Sequence, residues 1–258
     1  MSTIRFHKYQ ATGNDFVIID NRERKLVFTD EQIATICHPK FGVGADGLIL
    51  IENHPSLNFQ LDYFNRDGSR SLCGNGCRAA VQFASKLGLV NGKATFNAFD
   101  GTHTAEILPS GSIRLKMGDV KEIKKLGEDY YAYTGSPHFI RFVSEIENYP
   151  VFEEGRKIRY SEPYKPAGTN VNFVALQKDN TIVVRTYERG VENETLSCGT
   201  GITAAALVAS LKGYTSPLKI KTLGGHLSVE FKTSQSGTFQ EIYLIGPAKM
   251  VFEGQLEL

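Results

Sequence analysis

Two heptapeptides carry the residue types best able to do chemistry, "SLCGNGC" at 71–77 and "LSCGTGI" at 196–202. Each sets a cysteine, Cys73 or Cys198, ahead of Gly-x-Gly and an apolar run with helical spacing. The first N–H groups of a helix have no partner within it and carry partial positive charge, so they hold anions. The same field favours thiolate over thiol, and glycine lets the backbone approach a ligand closely. One such loop suits a carboxylate beside a reactive sulfur. Two of them, facing each other, would grip one carboxylate and present a sulfur to each face of the adjacent carbon. That fits inversion at a carbon α to a carboxylate: a thiolate removes the α-proton, and a thiol returns a proton to the opposite face. The sulfurs then act as general base and general acid. The site must also stabilise the enolate-like intermediate and exclude water. The plainer explanation is two small residues at tight helix starts, inherited together by duplication. It does not account for Cys, Gly and Gly being kept in copies that differ at most positions.

The other two cysteines, Cys37 and Cys77, read as structural thiols, and no C-x2-C pair suggests zinc. The N-terminus "MSTIRFHKYQ" has no apolar signal core, so a cytoplasmic protein without a disulfide framework is expected. The longest apolar stretch, "ITAAALVASL", is about half of what spans a bilayer, so no membrane partner is expected. A net charge of +1 without a basic block gives nucleic acid little to bind. The 258 residues, 41% hydrophobic and 22% charged, suit one large or two modest soluble domains.

The elements that must position the cysteines follow from the spacing. "IRFHKYQATGNDFVIIDNR" reads as strand, turn and an apolar strand over 16–20. Thr29, with Gln32 three residues on, caps a short helix that His38-Pro39 ends. The Gly-x-Gly-x-x-Gly at 42–47 leads into a strand and not a helix, which rejects a dinucleotide fingerprint. After a strand ending in Asn-Arg-Asp-Gly, Cys77, Ala80, Val81, Ala84 and Leu87 share one helical face, with Gly88 as the stop. The second half repeats this order: "DYFNRDGS…LCGNG" is echoed by "RTYERGVENETLSCGTG" at a fixed offset, 198 − 73 = 125 and 213 − 88 = 125. "ATGNDFVII" at 11–19 is matched to "AGTNVNFVAL" at 167–176, which makes residues 25–50 an insertion in the first copy. The expected fold is α/β of the α+β type. It has two pseudo-symmetric lobes, each a mostly antiparallel sheet or barrel around a central helix, with the active site in the cleft between them. The expected boundaries are 1–118 for the first lobe, with 249–258 returning to it as a strand, and 119–248 for the second.

"TGNDFVIID", "FGVGADGLILI", "FNRDGS…CGNGCR", "SPHF", "NVNFV", "YERGVENETLSCGTGITAAA" and "GPAKMVFEG" together resemble the diaminopimelate epimerase family, from about residue 5 onward. The resemblance implies cofactor-independent interconversion of LL- and meso-diaminopimelate, in lysine and peptidoglycan precursor synthesis, by a homodimer. It makes Cys73 and Cys198 the acid/base pair, with Glu188 and His138 setting protonation near the thiols or the reacting ammonium. Gly74, Asn75, Gly199 and Thr200 would offer N–H groups to the reacting carboxylate. Asn14, Asn65, Asn172 and Arg189, with Glu188, would bind the amino acid, chiefly its distal end; an Arg fork suits a carboxylate there. No metal ligands are implied. The chain has Ser136 where the family often has Asn before Pro-His, and Gly47 where some members have Gln. A proline racemase or hydroxyproline epimerase is the nearest alternative, although such relatives show CGHG and need no distal clamp. A non-catalytic amino acid binder, or a phenazine-type isomerase lacking one cysteine, is a third, disfavoured by both cysteines being present.

Overall fold

A computed structural model describes residues 3–235 and 237–257. The chain forms two compact units, residues 1–115 with 246–258, and residues 116–245. The first contains β1 (Thr3–Ala11), β2 (Asn14–Asp20), α1 (Asp30–Cys37), β3 (Gly47–Glu52), β4 (Phe59–Asn65), α2 (Gly74–Lys86), β5 (Lys93–Ala98), β6 (Gly101–Ile107) and β7 (Ile113–Lys116). The second contains β8 (Ile123–Leu126), β9 (Asp129–Tyr133), β10 (Pro137–Phe142), α3 (Val151–Arg159), β11 (Asn170–Gln177), β12 (Thr181–Glu188), β13 (Asn193–Thr195), α4 (Gly199–Ser210), β14 (Leu218–Thr222), β15 (Gly225–Thr233) and β16 (Phe239–Gly246). The last strand, β17 (Lys249–Glu257), pairs antiparallel with β1.

Within the first unit β2–β3 and β4–β5 are parallel, while β1–β2, β3–β4, β5–β6 and β6–β7 are antiparallel. A parallel pair needs a crossover, and α1 supplies the one from β2 to β3. The capping box between Thr29 and Gln32 starts α1, and Ile33, Ile36 and Cys37 bury its inner face against Val17, Ile19, Leu48 and Leu50. The alternate residues Phe16 and Ile49 face Gly76 at the start of α2. Strands β2 and β3 therefore lie between two helices. That is why "FVII" and "LILI" are unbroken apolar runs and not alternating ones. Helix α2 is fully buried at Ala79, Ala80, Val81, Phe83 and Ala84, and packs on β1, β2, β3, β4, β6 and β17. Each large side chain so buried contributes about 1.5–3 kcal/mol.

The second unit repeats this pattern, with the short β13 added antiparallel to β12. β10–β11 and β12–β14 are parallel; β8–β9, β9–β10, β11–β12, β14–β15 and β15–β16 are antiparallel. Helix α4 is apolar all round, and packs on β9, β10, β11, β12, β14 and β15. The crossover from β10 to β11 runs through α3, whose Val151 and Ile158 pack with Phe139, Val171 and Phe173. This corrects the expected alignment of the halves. The α1 crossover has a counterpart in α3, so residues 25–50 are no insertion. The Phe-Val pair of β2 is matched in the sequence to that of β11, but the counterpart of β2, pairing with its own neighbours in the same senses, is β10. Gly47, opposite Phe16 of β2, corresponds to Asn170, opposite His138 of β10, and Ile49, which faces Gly76, corresponds to Asn172, which faces Gly201. Helix α3 itself was not foreseen. Its Gly155 breaks the helical signal, and a Cβ there would sit 2.3 Å from Tyr187 Cβ.

Candidate active site

In the first unit Cys73 is the N-cap of α2, half-buried, and its Sγ accepts from the N–H of Gly76 at 3.5 Å. The thiol also lies 3.4 Å from Asn14 Oδ1, as donor, and the Asn75 amide donates to that same oxygen at 3.2 Å. The orientation of Asn14 is fixed from behind, because its Nδ2 donates to Asp46 Oδ2 at 2.6 Å and a carboxylate only accepts. Asp46 is tied to Asp15 by reciprocal bonds through backbone N–H groups, and burial pushes its carboxyl above the usual range. Lys8, almost wholly buried, pairs with Asp15 at 2.6 Å and donates to the Gly44 carbonyl. Five residues beyond Cys73, Arg78 is fully buried. Its Nη2 donates to Thr12 Oγ1 at 3.3 Å, while Nε and Nη1 have no hydrogen-bond partner among the described residues. Burial lowers its guanidinium to about 10, against the opposing pull of Cys73 and Cys77.

In the second unit Cys198 is the N-cap of α4, 6% exposed, with Sγ 3.7 Å from Thr200 Oγ1. Behind Thr200 stands His138, whose Nε2 lies 2.9 Å from that hydroxyl, and behind His138 stands Asn172, whose Nδ2 lies 3.1 Å from Nδ1. Asn172 Nδ2 also donates to the Phe139 carbonyl at 3.0 Å, and its Oδ1 accepts from Thr186 Oγ1 at 3.0 Å. His138 and Asn172 are wholly buried, and burial followed by the charge of Arg189 drops the imidazole to about 3. A Cβ on Gly201 would stand 2.3 Å from Asn172 Oδ1, so close packing demands glycine there. Its counterpart Gly76 meets nothing nearer than 3.4 Å.

Glu188 and Arg189, at the end of β12, are half-buried. Glu188 accepts from Thr195 Oγ1 at 2.9 Å. The N–H of Arg189 donates to Asn170 Oδ1 at 2.8 Å, and Asn170 in turn donates to Ser136 Oγ at 2.9 Å. Ser136 thus receives an amide donor directly. In the first unit, Asn65 holds the turn before Cys73, with Nδ2 on Ser69 and Oδ1 accepting from Ser71 Oγ at 3.2 Å. Gly74 and Gly199 open their helices as the first residues after the cysteines. Cys37 and Cys77 are buried away from this chemistry, their thiols pushed up by burial, Cys37 to about 11. All four cysteines are free thiols.

Residues 6–123 and 130–251 match the sequence model of diaminopimelate epimerase. The chain belongs to the diaminopimelate epimerase family. A diaminopimelate epimerase of Flavobacterium psychrophilum is 46% identical over 256 residues, covering 97% of this chain and 99% of the relative. One from Aquifex aeolicus is 42% identical over 276 residues, covering 98% of each. Two solved structures share the fold. A phenazine biosynthesis protein of the PhzF family from Bacillus anthracis has a TM-score of 0.77 at 16% identity, with both chains fully covered. A probable proline racemase from Agrobacterium radiobacter has a TM-score of 0.70 at 13% identity, covering 99% of this chain and 93% of that one. The mixed α/β fold expected from the sequence is that of these epimerase-like proteins.

One residue expected to bind substrate is corrected by the geometry. Asn172 has no exposed surface, and both ends of its amide are engaged by Thr186, His138 and the Phe139 carbonyl, so it supports His138 and grips no ligand. The neighbouring Asn170, passed over in the sequence, ties Arg189 to Ser136 instead. Asp46, Arg78 and Thr186 were also missed. Arg78 sat within the quoted "CGNGCR" of this diaminopimelate epimerase family motif, and a charged residue on an apolar helical face was the available signal. Gly47 keeps the space that Tyr63 fills, since a Cβ there would come within 2.5 Å of that ring.

Proposed function

We propose that the protein interconverts LL- and meso-diaminopimelate without a cofactor, by two-thiol proton transfer at the α-carbon, in lysine and peptidoglycan precursor synthesis. The observation that carries this is the placement of one cysteine at the N-cap of the central helix in each unit, Cys73 before α2 and Cys198 before α4. A thiolate takes the α-proton and becomes a thiol, while the C–H electron pair passes into the carboxylate. The other cysteine gives its proton to the opposite face and becomes a thiolate. The N–H groups of the first helical turns, at Gly74, Asn75, Gly199 and Thr200, stabilise charge developing on the carboxylate, in the manner of an oxyanion hole. Asn14, Asn65 and Arg189 hold the distal amino acid end, Glu188 accepts from an ammonium group, and His138 acts behind Thr200. The working form is taken as a cytoplasmic homodimer with no nucleic acid or membrane partner; no described helix is long and apolar enough to cross a membrane.

The test is α-proton exchange. Incubation with either diaminopimelate isomer in deuterated water should give deuterium uptake and a shifting isomer ratio, and the change of isomer should be lost, by about a hundredfold or more, in Cys73→Ala and in Cys198→Ala. Exchange with proline but none with diaminopimelate would overturn the assignment of substrate. Near-normal turnover of either variant would overturn the two-thiol scheme.

A further inference from the structure

The hydrogen bonds behind Cys198 run in one direction, and their sense can be read without seeing a hydrogen. The Phe139 carbonyl can only accept, so the Asn172 atom 3.0 Å from it is the amide nitrogen. That same nitrogen faces His138 Nδ1 at 3.1 Å, which makes Nδ1 an acceptor. A neutral imidazole with an acceptor at Nδ1 carries its proton on Nε2. Nε2–H therefore donates to Thr200 Oγ1 at 2.9 Å. Thr200, with an oxygen lone pair occupied, has its own proton to give, and Cys198 Sγ lies 3.7 Å away. Thr186 completes the line by donating to Asn172 Oδ1 at 3.0 Å. We infer that Asn172 and Thr186 lock His138 as a fixed donor, so that Thr200 feeds a hydrogen bond to Cys198 and holds it as thiolate in the resting protein. The inference deepens the two-thiol reading by assigning which sulfur begins as base. It also removes His138 from the role of proton acceptor.

Asn172 and Thr186 are positioning residues here, acting through His138 and Thr200. The charged groups around the line are Arg189, whose charge adds to burial in keeping His138 neutral, and Glu188 at the end of the adjoining strand. Cys73 has different neighbours. Gly76 N–H and the buried Arg78 favour its thiolate, whereas Asn14 Oδ1, locked by Asp46, favours its thiol.

The experiment reads each thiol separately, without substrate, so it stands apart from the exchange assay. Iodoacetamide labelling across pH 5–10, quantified peptide by peptide, gives a midpoint for Cys73 and one for Cys198. Thr200→Val should raise the Cys198 midpoint by about one pH unit, a roughly tenfold slower labelling near neutrality, and leave the Cys73 midpoint in place. Thr200→Ser, which keeps the hydroxyl, should restore the Cys198 value. An unchanged Cys198 midpoint in Thr200→Val would overturn the inference. Long-range 1H–15N correlation on the unaltered protein gives a second readout: His138 should carry its proton on Nε2 throughout pH 5–9, and a proton on Nδ1 would overturn the inference. Failure of exchange with diaminopimelate would remove the epimerase reading while leaving these thiol measurements to be judged alone.

Discussion

The two Gly-x-Gly motifs look alike, yet their second glycines should respond in opposite ways to alanine. At Gly201 the added Cβ meets Asn172 Oδ1 at 2.3 Å and the His138 ring at 3.3 Å. Relief requires a shift of about 1 Å by a wholly buried amide whose nitrogen and oxygen are both hydrogen-bonded. Overpacking of this kind costs roughly 1–3 kcal/mol, and each buried polar group left unpaired adds about 1–3 kcal/mol. Alanine returns roughly 1 kcal/mol of helix propensity, so the net loss is about 1–5 kcal/mol. At Gly76 the nearest atoms are Ile49 Cδ1 at 3.4 Å, Cys73 Cβ at 3.5 Å and Phe16 Cε1 at 3.6 Å. Alanine fits there, and Gly76→Ala should be neutral or stabilise by up to about 1 kcal/mol. Urea unfolding followed by circular dichroism, with epimerisation rates alongside, measures both. Gly201→Ala should lower the unfolding midpoint and also raise the Cys198 labelling midpoint, since Asn172 is displaced. Equal stability of the two variants would refute the reasoning.

Two further outcomes are expected. His138 is buried neutral with its imidazole near 3 against 6.5 when unfolded, so at pH 7 it adds nothing, and as pH falls below 6.5 the unfolded chain takes up a proton that the folded one refuses. Stability should fall by up to about 1.4 kcal/mol per pH unit between roughly pH 6 and 4 on this account, less steeply in His138→Gln; an equal urea-midpoint slope in both would rule it out. Arg78→Met removes a buried cation with two unpartnered nitrogens, so stability should hold or rise by about 1–2 kcal/mol, while the Cys73 labelling midpoint rises; a large loss of stability without that rise would assign Arg78 to packing alone.

Much of this was legible in the sequence where local chemistry decides. Thr29 and Gln32 announced α1, and the cysteine offset announced two equivalent helices. The order of parallel and antiparallel strands was not legible, because a Phe-Val pair reads the same in β2 and β11, and only pairing partners tell them apart. Helix α3 was hidden by Gly155, a residue that weakens a helix alone but is required by its contact with Tyr187. Asn172 misled for a related reason: an asparagine in an apolar strand signals a polar task, and only burial shows whether a ligand or a histidine receives it. Arg78 received no role, since a cation is seldom found on the buried face of a helix, yet that is where it lies.

The return of β17 to β1 has a consequence for how the chain is made. β1 is among the first segments to leave the ribosome, but its outer partner follows only after residues 116–245 have been translated. At about 5–20 residues per second, those 130 residues impose a delay on the order of ten seconds. By its end the strands of the second unit have been made, while the first unit still has an open edge at Ile4 and Phe6, side chains that end up buried. The second unit is thus the one free to complete first, and the nascent first unit is the one that a chaperone would need to shield.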